Sequence, residues 1–411
     1  MSSPMEGVRI VELAQYTFVP ASGAVLADWG ADVIKIEQTG GGDAQRSILT
    51  MLGLDANAVS DTFFPILEGP NRGKRSIGLD LSTTAGREVF EKLVKTADVF
   101  VTNFREPTRK KLKVDVADIR ALNPQVIYMR GTGMGPKGPE GPDGGYDQTV
   151  FWARSGNADA TTPPQSDRAI GMPTGAFGDN IGGMTIAGGI AAALYRRAVT
   201  GEPSVVDASL LSVGMWTAQY GINHALLEGR QPPRPVLPAH GSPRNPLSGG
   251  PYQTSDGRWI QLGMLQPDRY WPEICERLGR PELITDERFA TDDAIAENIG
   301  AAADCVAEMI GAVTLEEFRS RMRGARGQWA LLQNYFETGH DPQARANGYV
   351  AKVTDADGIQ RELVTAPVQF DEEPLQIDRA PQFAEHTDEI LAELGFDDDK
   401  VREFRTGGAV A

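Results

Sequence analysis

A single aspartate in a glycine-rich segment is the strongest candidate for chemistry in this sequence. Asp179 lies within Gly175–Gly183 and directly precedes an apolar run, Ile181–Arg197, that predicts a helix. An aspartate before a helix most often only accepts hydrogen bonds from backbone N–H groups, so a capping role is one interpretation. The other is a nucleophile, because neighbouring glycines would let a bulky thioester approach and a helix N-terminus would keep the carboxylate ionised.

Two other features fit the same chemistry, but each also has an ordinary explanation. Gly249 and Gly250 precede a predicted strand. They could form a flexible lid whose N–H groups stabilise an oxyanion and exclude water, or they could be a simple loop. The basic clusters Asn71–Arg75 and Arg105–Lys111 stand out in an acidic chain. They could bind phosphate groups through charge-assisted hydrogen bonds, or they could be solvated surfaces.

Several other classes of enzyme lack their defining residues here. The four histidines show no metal-ligand spacing, so we expect no metal site. The loop Gly40–Asp43, which follows the second predicted strand, does not match the dinucleotide fingerprint, and no Walker motif or GxSxG elbow occurs. These features disfavour a plain dehydrogenase, a P-loop nucleotide-binding enzyme and a serine hydrolase.

The composition is that of a globular protein with sizeable cores. The chain has 411 residues, of which 41% are hydrophobic, and this length predicts two or three domains. A formal net charge of −16 argues against nucleic acid or an anionic membrane as the main partner. Cys275 and Cys305 lie outside any CxxC or metal-ligand spacing. Together with the lack of a signal-peptide pattern, this predicts a reduced, cytoplasmic protein.

Strands and helices alternate along the first half of the chain. The predicted strands are Val8–Leu13, Val33–Glu37, Ile77–Leu81, Val99–Asn103, Val126–Met129 and Val205–Ser209. Ser82 is the predicted N-cap of a helix over Thr84–Thr96. This alternation predicts an α/β fold with a doubly wound parallel sheet, which binds ligands beyond the carboxyl ends of its strands. Residues 131–180 are rich in glycine and proline and predict a long functional loop.

Short motifs that recur in a fixed order identify a family resemblance. The longest are Leu26–Glu37, Asn71–Asp80, Asp98–Arg105 and Val206–Leu210. The chain resembles the class III CoA-transferases, which include formyl-CoA transferase and carnitine CoA-transferase, from about Gly7 to Leu394. The resemblance implies transfer of CoA from an acyl-CoA donor to a carboxylic acid acceptor, with coenzyme A as substrate and no metal.

Residues can be carried over from the family one by one. Asp179 falls on the nucleophile, which the resemblance implies forms first an aspartyl-acyl anhydride and then an aspartyl-CoA thioester. Gly249 and Gly250 match part of a glycine loop, and Tyr146 matches an active-site tyrosine. The positions expected to contact CoA are Leu79, Leu81, Asn103, Phe104 and Lys111.

Three departures from formyl-CoA transferase bear on the substrate pocket. Gln15-Tyr16-Thr17 replaces His-Val-Gln, Gln38 replaces an arginine, and Gly144 replaces a lysine. Because these changes remove groups suited to a small dicarboxylate, we expect neither oxalate nor formate as substrate. The segment that begins at Tyr146 is similar to transferases acting on aryl and 2-hydroxy acids. The identity of donor and acceptor stays open at this stage.

The resemblance also implies a domain plan. We expect a large Rossmann-like CoA-binding domain from residues 1–225 and 336–411, and a smaller α/β domain from residues 226–335. The proline-rich stretch Gln231–Gly250 reads as a linker between them. Family members form homodimers with interlocked chains, so a homodimer is expected here too.

Two alternatives remain on this fold. Acyl-CoA racemases resemble the chain but use a histidine where Tyr146 stands. A phenol is a poor base near neutral pH, which disfavours racemisation. The other alternative is a non-catalytic CoA-binding protein, which the aspartate in its glycine-rich setting argues against.

Overall fold

A six-stranded parallel sheet organises the larger part of the molecule. The computed structural model describes residues 3–48, 62–233 and 245–411. The strand order is β3-β2-β1-β4-β5-β6, and every neighbouring pair is parallel. The strands are β1 (Arg9–Leu13), β2 (Asp32–Glu37), β3 (Arg75–Gly78), β4 (Val99–Thr102), β5 (Ile127–Thr132) and β6 (Val205–Ser209). This order confirms the predicted doubly wound α/β sheet.

Alternate side chains of the strands fill two separate cores. Ile10 and Val33 belong to one core, whereas the next residues, Val11 and Ile34, belong to the other. Successive side chains of a strand point to opposite faces, so both faces of this sheet are covered. The first core includes residues of helices Pro20–Asp28, Phe177–Thr200 and Leu210–Thr217. The second includes residues of helices Thr84–Lys95, Val116–Leu122, Thr387–Glu393 and Asp398–Thr406.

Shorter elements complete this first compact unit, which comprises residues 1–162, 168–233 and 342–411. Its other helices are Pro65–Asn71, Glu106–Leu112, Asn157–Thr161, Gln219–Glu228 and Pro342–Ala346. A 3-10 turn covers Ala44–Ser47 and a π-helical segment covers Asp147–Arg154. An antiparallel hairpin pairs β10 (Val350–Thr354) with β11 (Gln360–Val364).

The second compact unit consists of residues 163–167 and 234–341. Its antiparallel sheet has the order β7-β8-β9, formed by Ser248–Gln253, Trp259–Gly263 and Trp329–Leu331. Its elements also include a 3-10 turn, Pro281–Ile284, and the helices Pro267–Arg277, Asp292–Glu297, Ile299–Gly311, Leu315–Arg321 and Tyr335–Gly339. Trp271, Phe289 and Phe318 are buried in its core together with the free thiol of Cys275.

Several local predictions are wrong. Thr83 rather than Ser82 caps the helix that follows β3, because its hydroxyl accepts the N–H of Gly86 at 2.9 Å. The hydroxyl of Ser82 instead donates to Asp80 at 2.7 Å. Helix Asp398–Thr406 escaped prediction because Phe404 is its one buried residue. The segment 131–180, which was predicted to be a loop, contains the π-helical segment. Residues 234–244 of the predicted linker lie outside the described residues.

Within the described ranges, no helix is both long enough and apolar enough to cross a membrane.

Candidate functional site

A cavity of about 1330 Å³ opens where the parallel strands of the first unit end. Its walls carry residues that follow β1, β3 and β4, together with the last residues of β5. This is where ligands bind in doubly wound sheets. The cavity brings together most of the predicted site residues, namely Gln15, Tyr16, Gln38, Leu79, Leu81, Asn103, Phe104, Lys111, Tyr146 and Asp179.

Asp179 lies in the first turn of helix Phe177–Thr200 and does not cap it. The residue before the helix is Ala176, in the left-handed region with φ of 59°, and its side chain makes no capping hydrogen bond. The predicted start at Ile181 is therefore four residues too late. In the structure the helix begins at Phe177, whose ring packs edge to face against that of Phe151, with centroids 6.1 Å apart.

The glycines near Asp179 serve packing rather than access. A Cβ atom on Gly178 would come within 2.2 Å of the ring of Phe151, and one on Gly182 within 2.2 Å of the ring of Phe18. A Cβ atom on Gly183 would lie 2.5 Å from the Cβ of Ala21, in the neighbouring helix. Our expectation that these glycines clear space for a thioester is wrong, because protein atoms already occupy that space.

The electrostatic setting of Asp179 favours the neutral acid more than expected. Burial, followed by the nearby carboxylate of Asp147, raises the pKa of Asp179 to about 7. No hydrogen-bond donor or cation among the described residues offsets these effects. The predicted ionised state is therefore only partly populated near neutral pH. Burial also raises the pKa of Asp147, whose carboxylate accepts the N–H of Gln148 at 2.8 Å.

Two tyrosines meet at the wall of the cavity. The rings of Tyr16 and Tyr146 pack edge to face, with centroids 5.9 Å apart. Burial raises the pKa of Tyr16, and the neighbouring Tyr146 phenol and Asp43 carboxylate raise it further, so the Tyr16 hydroxyl stays protonated at neutral pH. Tyr146 is 62% exposed. The pair therefore presents two hydroxyl groups, each able to donate and accept a hydrogen bond.

Two predicted contact residues have structural partners. The amide of Asn103 binds both backbone groups of Gln15, accepting from N at 3.0 Å and donating to O at 2.6 Å. It joins the turns that follow β1 and β4. Thr17 is buried, and its hydroxyl accepts from the side chain of Gln45 at 3.1 Å. Thr17 is not among the residues that line the cavity, and its contact with substrate stays a prediction.

The basic cluster Asn71–Arg75 is not a phosphate cradle, because its cations are paired within the protein. Arg72 contacts Asp28 at 2.6 Å, Lys74 contacts Glu12 at 2.7 Å, and Arg75 contacts Asp32 at 2.8 Å. Lys35 adds a second buried cation to this region, at 3.1 Å from Glu12 and 2.8 Å from Asp43. We call Glu12, Lys35, Asp43 and Lys74 the ion-pair cluster.

The second basic region faces the cavity. Arg105, Lys111 and Lys137 are exposed, line the cavity and form no ion pair with the described part of the chain. Lys110, directly beside Lys111, instead pairs with Glu106 and does not line the cavity. Lys137 was missed in the sequence. Its signal was a lone cation inside the glycine- and proline-rich segment after β5.

Gly249 and Gly250 precede strand β8, as predicted, but they lie within strand β7 of the second unit rather than in a loop. The pairing of β7 with β8 shifts register between Ser248 and Pro251, so this part of the strand is irregular. The described ranges contain no cluster of three or more histidine, cysteine or acidic side chains arranged to hold a metal ion.

Comparisons with known proteins identify relatives along nearly the whole chain. Residues 5–387 match the family model described as CoA-transferase family III. The chain is 30% identical to the (R)-2-hydroxy-4-methylpentanoate CoA-transferase of Clostridioides difficile, over 99% of both chains. It is 29% identical to the cinnamoyl-CoA:phenyllactate CoA-transferase of Clostridium sporogenes, over 97% of this chain and 95% of the relative.

A solved structure shares the fold. A CAIB/BAIF family protein from Brucella suis matches with a TM-score of 0.81 and 30% identity. The match covers 96% of this chain and 100% of that protein.

Proposed function

We propose that this chain, which belongs to CoA-transferase family III and is a CoA-transferase, uses Asp179 as a carboxylate nucleophile. The family membership confirms the resemblance seen in the sequence. The observation that carries the proposal is the placement of Asp179 on the wall of the cavity of the first unit, with no cationic partner among the described residues.

The proposed reaction proceeds through two covalent forms of Asp179. A carboxylate oxygen attacks the thioester carbonyl of the donor, which forms an aspartyl-acyl anhydride and releases CoA thiolate. The thiolate attacks the aspartyl carbonyl, which gives an aspartyl-CoA thioester and frees the donor acid. The acceptor carboxylate then attacks this thioester, which forms a new aspartyl-acyl anhydride and releases CoA thiolate again. Attack by the thiolate on the acceptor's acyl carbonyl releases the product acyl-CoA and restores Asp179.

The pKa of Asp179 suits this sequence. A carboxylate whose pKa is about 7 is a stronger base than an exposed aspartate, and therefore a better nucleophile once it is ionised. The anhydride is easily hydrolysed, so water must be kept away from it. We assign this shielding to Gly249 and Gly250, as the resemblance implies.

The cation-lined wall of the cavity is the proposed site for the CoA phosphates. Arg105, Lys111 and Lys137 supply charge there, and phosphate groups accept strong charge-assisted hydrogen bonds from such side chains. Leu79, Leu81 and Phe104 line the same cavity and offer apolar contacts for the adenine ring.

For the acyl and acid groups, we propose a monocarboxylate that carries a hydroxyl or aryl substituent. The relatives act on 2-hydroxy-4-methylpentanoate and on phenyllactate according to their names. In this chain Gln15, Tyr16 and Gln38 line the cavity with neutral polar groups. Such groups suit a hydroxyl better than a second carboxylate.

A homodimer, with a large domain from both chain ends and a smaller domain, belongs to the same proposal. Supporting it, several large apolar side chains of the first unit are exposed, with Trp216 at 69%, Tyr220 at 87% and Leu227 at 85%. Exposed apolar patches of this kind are typical of protein interfaces.

An assay with paired donors and acceptors tests the activity. The donors are cinnamoyl-CoA and 2-hydroxy-4-methylpentanoyl-CoA, and the acceptors are phenyllactate, 2-hydroxy-4-methylpentanoate, succinate and oxalate. We expect acceptor-dependent formation of a new acyl-CoA with a hydroxy acid, and none with Asp179→Ala. Exchange of the α-proton for deuterium in the absence of any acceptor acid would instead favour racemisation.

A further inference from the structure

The turn that follows β1 holds a tyrosine in an unfavourable backbone conformation. Tyr16 has φ of 63°, in the left-handed region that side chains other than glycine rarely adopt. Such conformations persist only where surrounding contacts enforce them, and they are concentrated at functional sites. The phenol that this backbone directs lies at the cavity wall, edge to face with Tyr146.

Buried side chains from neighbouring strands and turns enforce this conformation. The N–H of Tyr16 donates to Asp43 at 3.1 Å, and Asn103 binds both backbone groups of Gln15. The carbonyl of Ala14 accepts from the ammonium of Lys35 at 3.0 Å. Three successive residues of the turn are therefore held by side chains that are distant in sequence.

Asp43 is itself held rigidly. It is 2% exposed, and its carboxylate lies 2.8 Å from Lys35. Its backbone N–H donates to Glu37 at 2.9 Å. Burying an ion pair contributes little net stability compared with apolar packing, because both charges lose their hydration. Stability alone therefore gives a weak reason for a charged pair at this position.

We propose that Asp43, held by Lys35, is a positioning residue for CoA transfer. Through the N–H of Tyr16 it fixes the Tyr16 phenol beside Tyr146, where the phenol hydrogen-bonds the acyl group of the substrate. This inference rests on the proposed function and deepens it. The competing explanation is local structure, since Asp43 also accepts the N–H of Gln45 at 2.9 Å and caps the turn Ala44–Ser47.

The test measures binding in an Asp179→Asn background, where no covalent step can occur. Calorimetry gives the dissociation constants of 2-hydroxy-4-methylpentanoyl-CoA and of free CoA for the parent, Tyr16→Phe, Asp43→Asn and the double variant. Tyr16→Phe removes only the hydroxyl, whereas Asp43→Asn keeps the shape but removes the charge that Lys35 holds. Because each change should remove one neutral hydrogen bond, we expect the dissociation constant of the acyl-CoA to rise about three- to tenfold.

Asp28→Asn provides the matched control. Asp28 is also buried, pairs with Arg72 at 2.6 Å and accepts one backbone N–H, from Ala366 at 3.0 Å. It does not touch the Tyr16 turn or line the cavity. Unfolding midpoints of all variants show the structural cost of each change.

The proposal predicts a specific pattern of affinities. Tyr16→Phe and Asp43→Asn should each weaken binding of the acyl-CoA but not of free CoA. The double variant should bind the acyl-CoA no more weakly than the single variant with the lower affinity. Asp28→Asn should leave both affinities unchanged. Unchanged affinities in Tyr16→Phe or in Asp43→Asn, equal losses for free CoA, additive losses, or the same loss in Asp28→Asn would each overturn the positioning role. Failure of the proposed function shows separately, as turnover that survives Asp179→Asn.

Discussion

Two regions of the first unit bury carboxylates in opposite ways. In the ion-pair cluster, Glu12 and Asp43 each lie within 3.1 Å of a lysine ammonium. At the cavity, no cation among the described residues offsets the charge of Asp179, whose pKa is raised by burial and then by the like charge of Asp147. Lysine ammonium groups offset the charges of the first pair of carboxylates, whereas the charges of the second pair, Asp147 and Asp179, repel each other. Paired charges hold the framework, whereas an unpaired charge is available to react.

The same contrast separates the two basic clusters. Lys74 pairs with Glu12, while Lys111 lies at the cavity wall and forms no ion pair within the described ranges. In both comparisons the types of residue are the same, and the difference lies in whether a partner of opposite charge is in place. Variants that remove a partner, or remove the unpaired group, therefore have distinct expected effects.

The largest effect should follow from removing the carboxylate of Asp179, the proposed nucleophile. Asp179→Asn keeps the size of the side chain but cannot form an anhydride, so kcat should fall by at least about 10⁴-fold. Steady-state assays with the active donor and acceptor pair measure this. As a control, the circular dichroism spectrum and the affinity for free CoA should stay close to those of the wild type. Activity within about tenfold of the wild type would remove Asp179 from the mechanism.

Breaking the ion-pair cluster should reduce stability rather than catalysis. Glu12→Gln leaves Lys74 buried without a carboxylate, which should lower the free energy of unfolding by about 3 kcal/mol. Urea denaturation measures this loss. The control is Arg196→Ala, which removes an exposed pair with Glu202 and should cost less than about 1 kcal/mol. Equal losses in the free energy of unfolding would show that the buried ion-pair cluster contributes no more to stability than an exposed ion pair.

The ionised form of Asp179 should lower the free energy of unfolding at alkaline pH. In the folded protein the pKa of Asp179 is about 7, which is above the pKa of an aspartate in the unfolded chain. At pH values between these two pKa values, the folded state therefore binds more protons than the unfolded state. Stability contributed by the protonated form is present at acidic pH and is lost as the pH rises through about 7. Asp179→Asn should therefore be more stable than the wild type at pH 8, by on the order of 1 kcal/mol after allowance for solvent screening, and should gain little at pH 4. Thermal unfolding at both pH values checks the difference, and an equal gain at both would contradict it.

Removing an unpaired cation should weaken substrate binding without affecting the fold. Lys111→Ala should raise KM for the acyl-CoA by about five- to tenfold at low salt, and less at high salt, because the phosphate contact is screened. Lys110→Ala is the matched control, since Lys110 is adjacent in sequence but pairs with Glu106 away from the cavity. Similar KM changes in both variants would indicate a general loss of charge instead of a phosphate contact.

The smallest effect concerns the pH profile. Since Asp179 must be ionised to attack, kcat/KM should rise with pH and level off above about 7. Asp147→Asn removes the like charge that raises the pKa of Asp179, so the rising limb should move to lower pH. If the rising limb of the kcat/KM profile stays at the same pH or moves to higher pH in this variant, the charge of Asp147 does not raise the pKa of Asp179.

The sequence predicted the parallel sheet, because strand and helix patterns are local, and it singled out Asp179, which is proposed above as the nucleophile. Alternation of strands and helices located all six parallel strands, and ordered motifs singled out Asp179. The prediction that the nearby glycines clear space for a thioester was wrong. Only the folded chain shows that Phe151 and Phe18 fill the space beside Gly178 and Gly182.

Long-range pairing explains the other errors. Lys74 looked like a phosphate ligand because its partner Glu12 lies 62 residues earlier in the chain. Lys137 was overlooked because no motif marks a cation in an irregular segment. In each case, the missing information is which side chain meets which after folding.

The most direct test of the account is to trap the reactive carboxylate. The protein is mixed with an acyl-CoA donor, quenched with hydroxylamine, digested and examined by mass spectrometry. We predict conversion of Asp179 to a hydroxamate that depends on the acyl-CoA and is absent in Asp179→Asn. Turnover with no modification at Asp179, or with modification at a different carboxylate, would contradict the central claim.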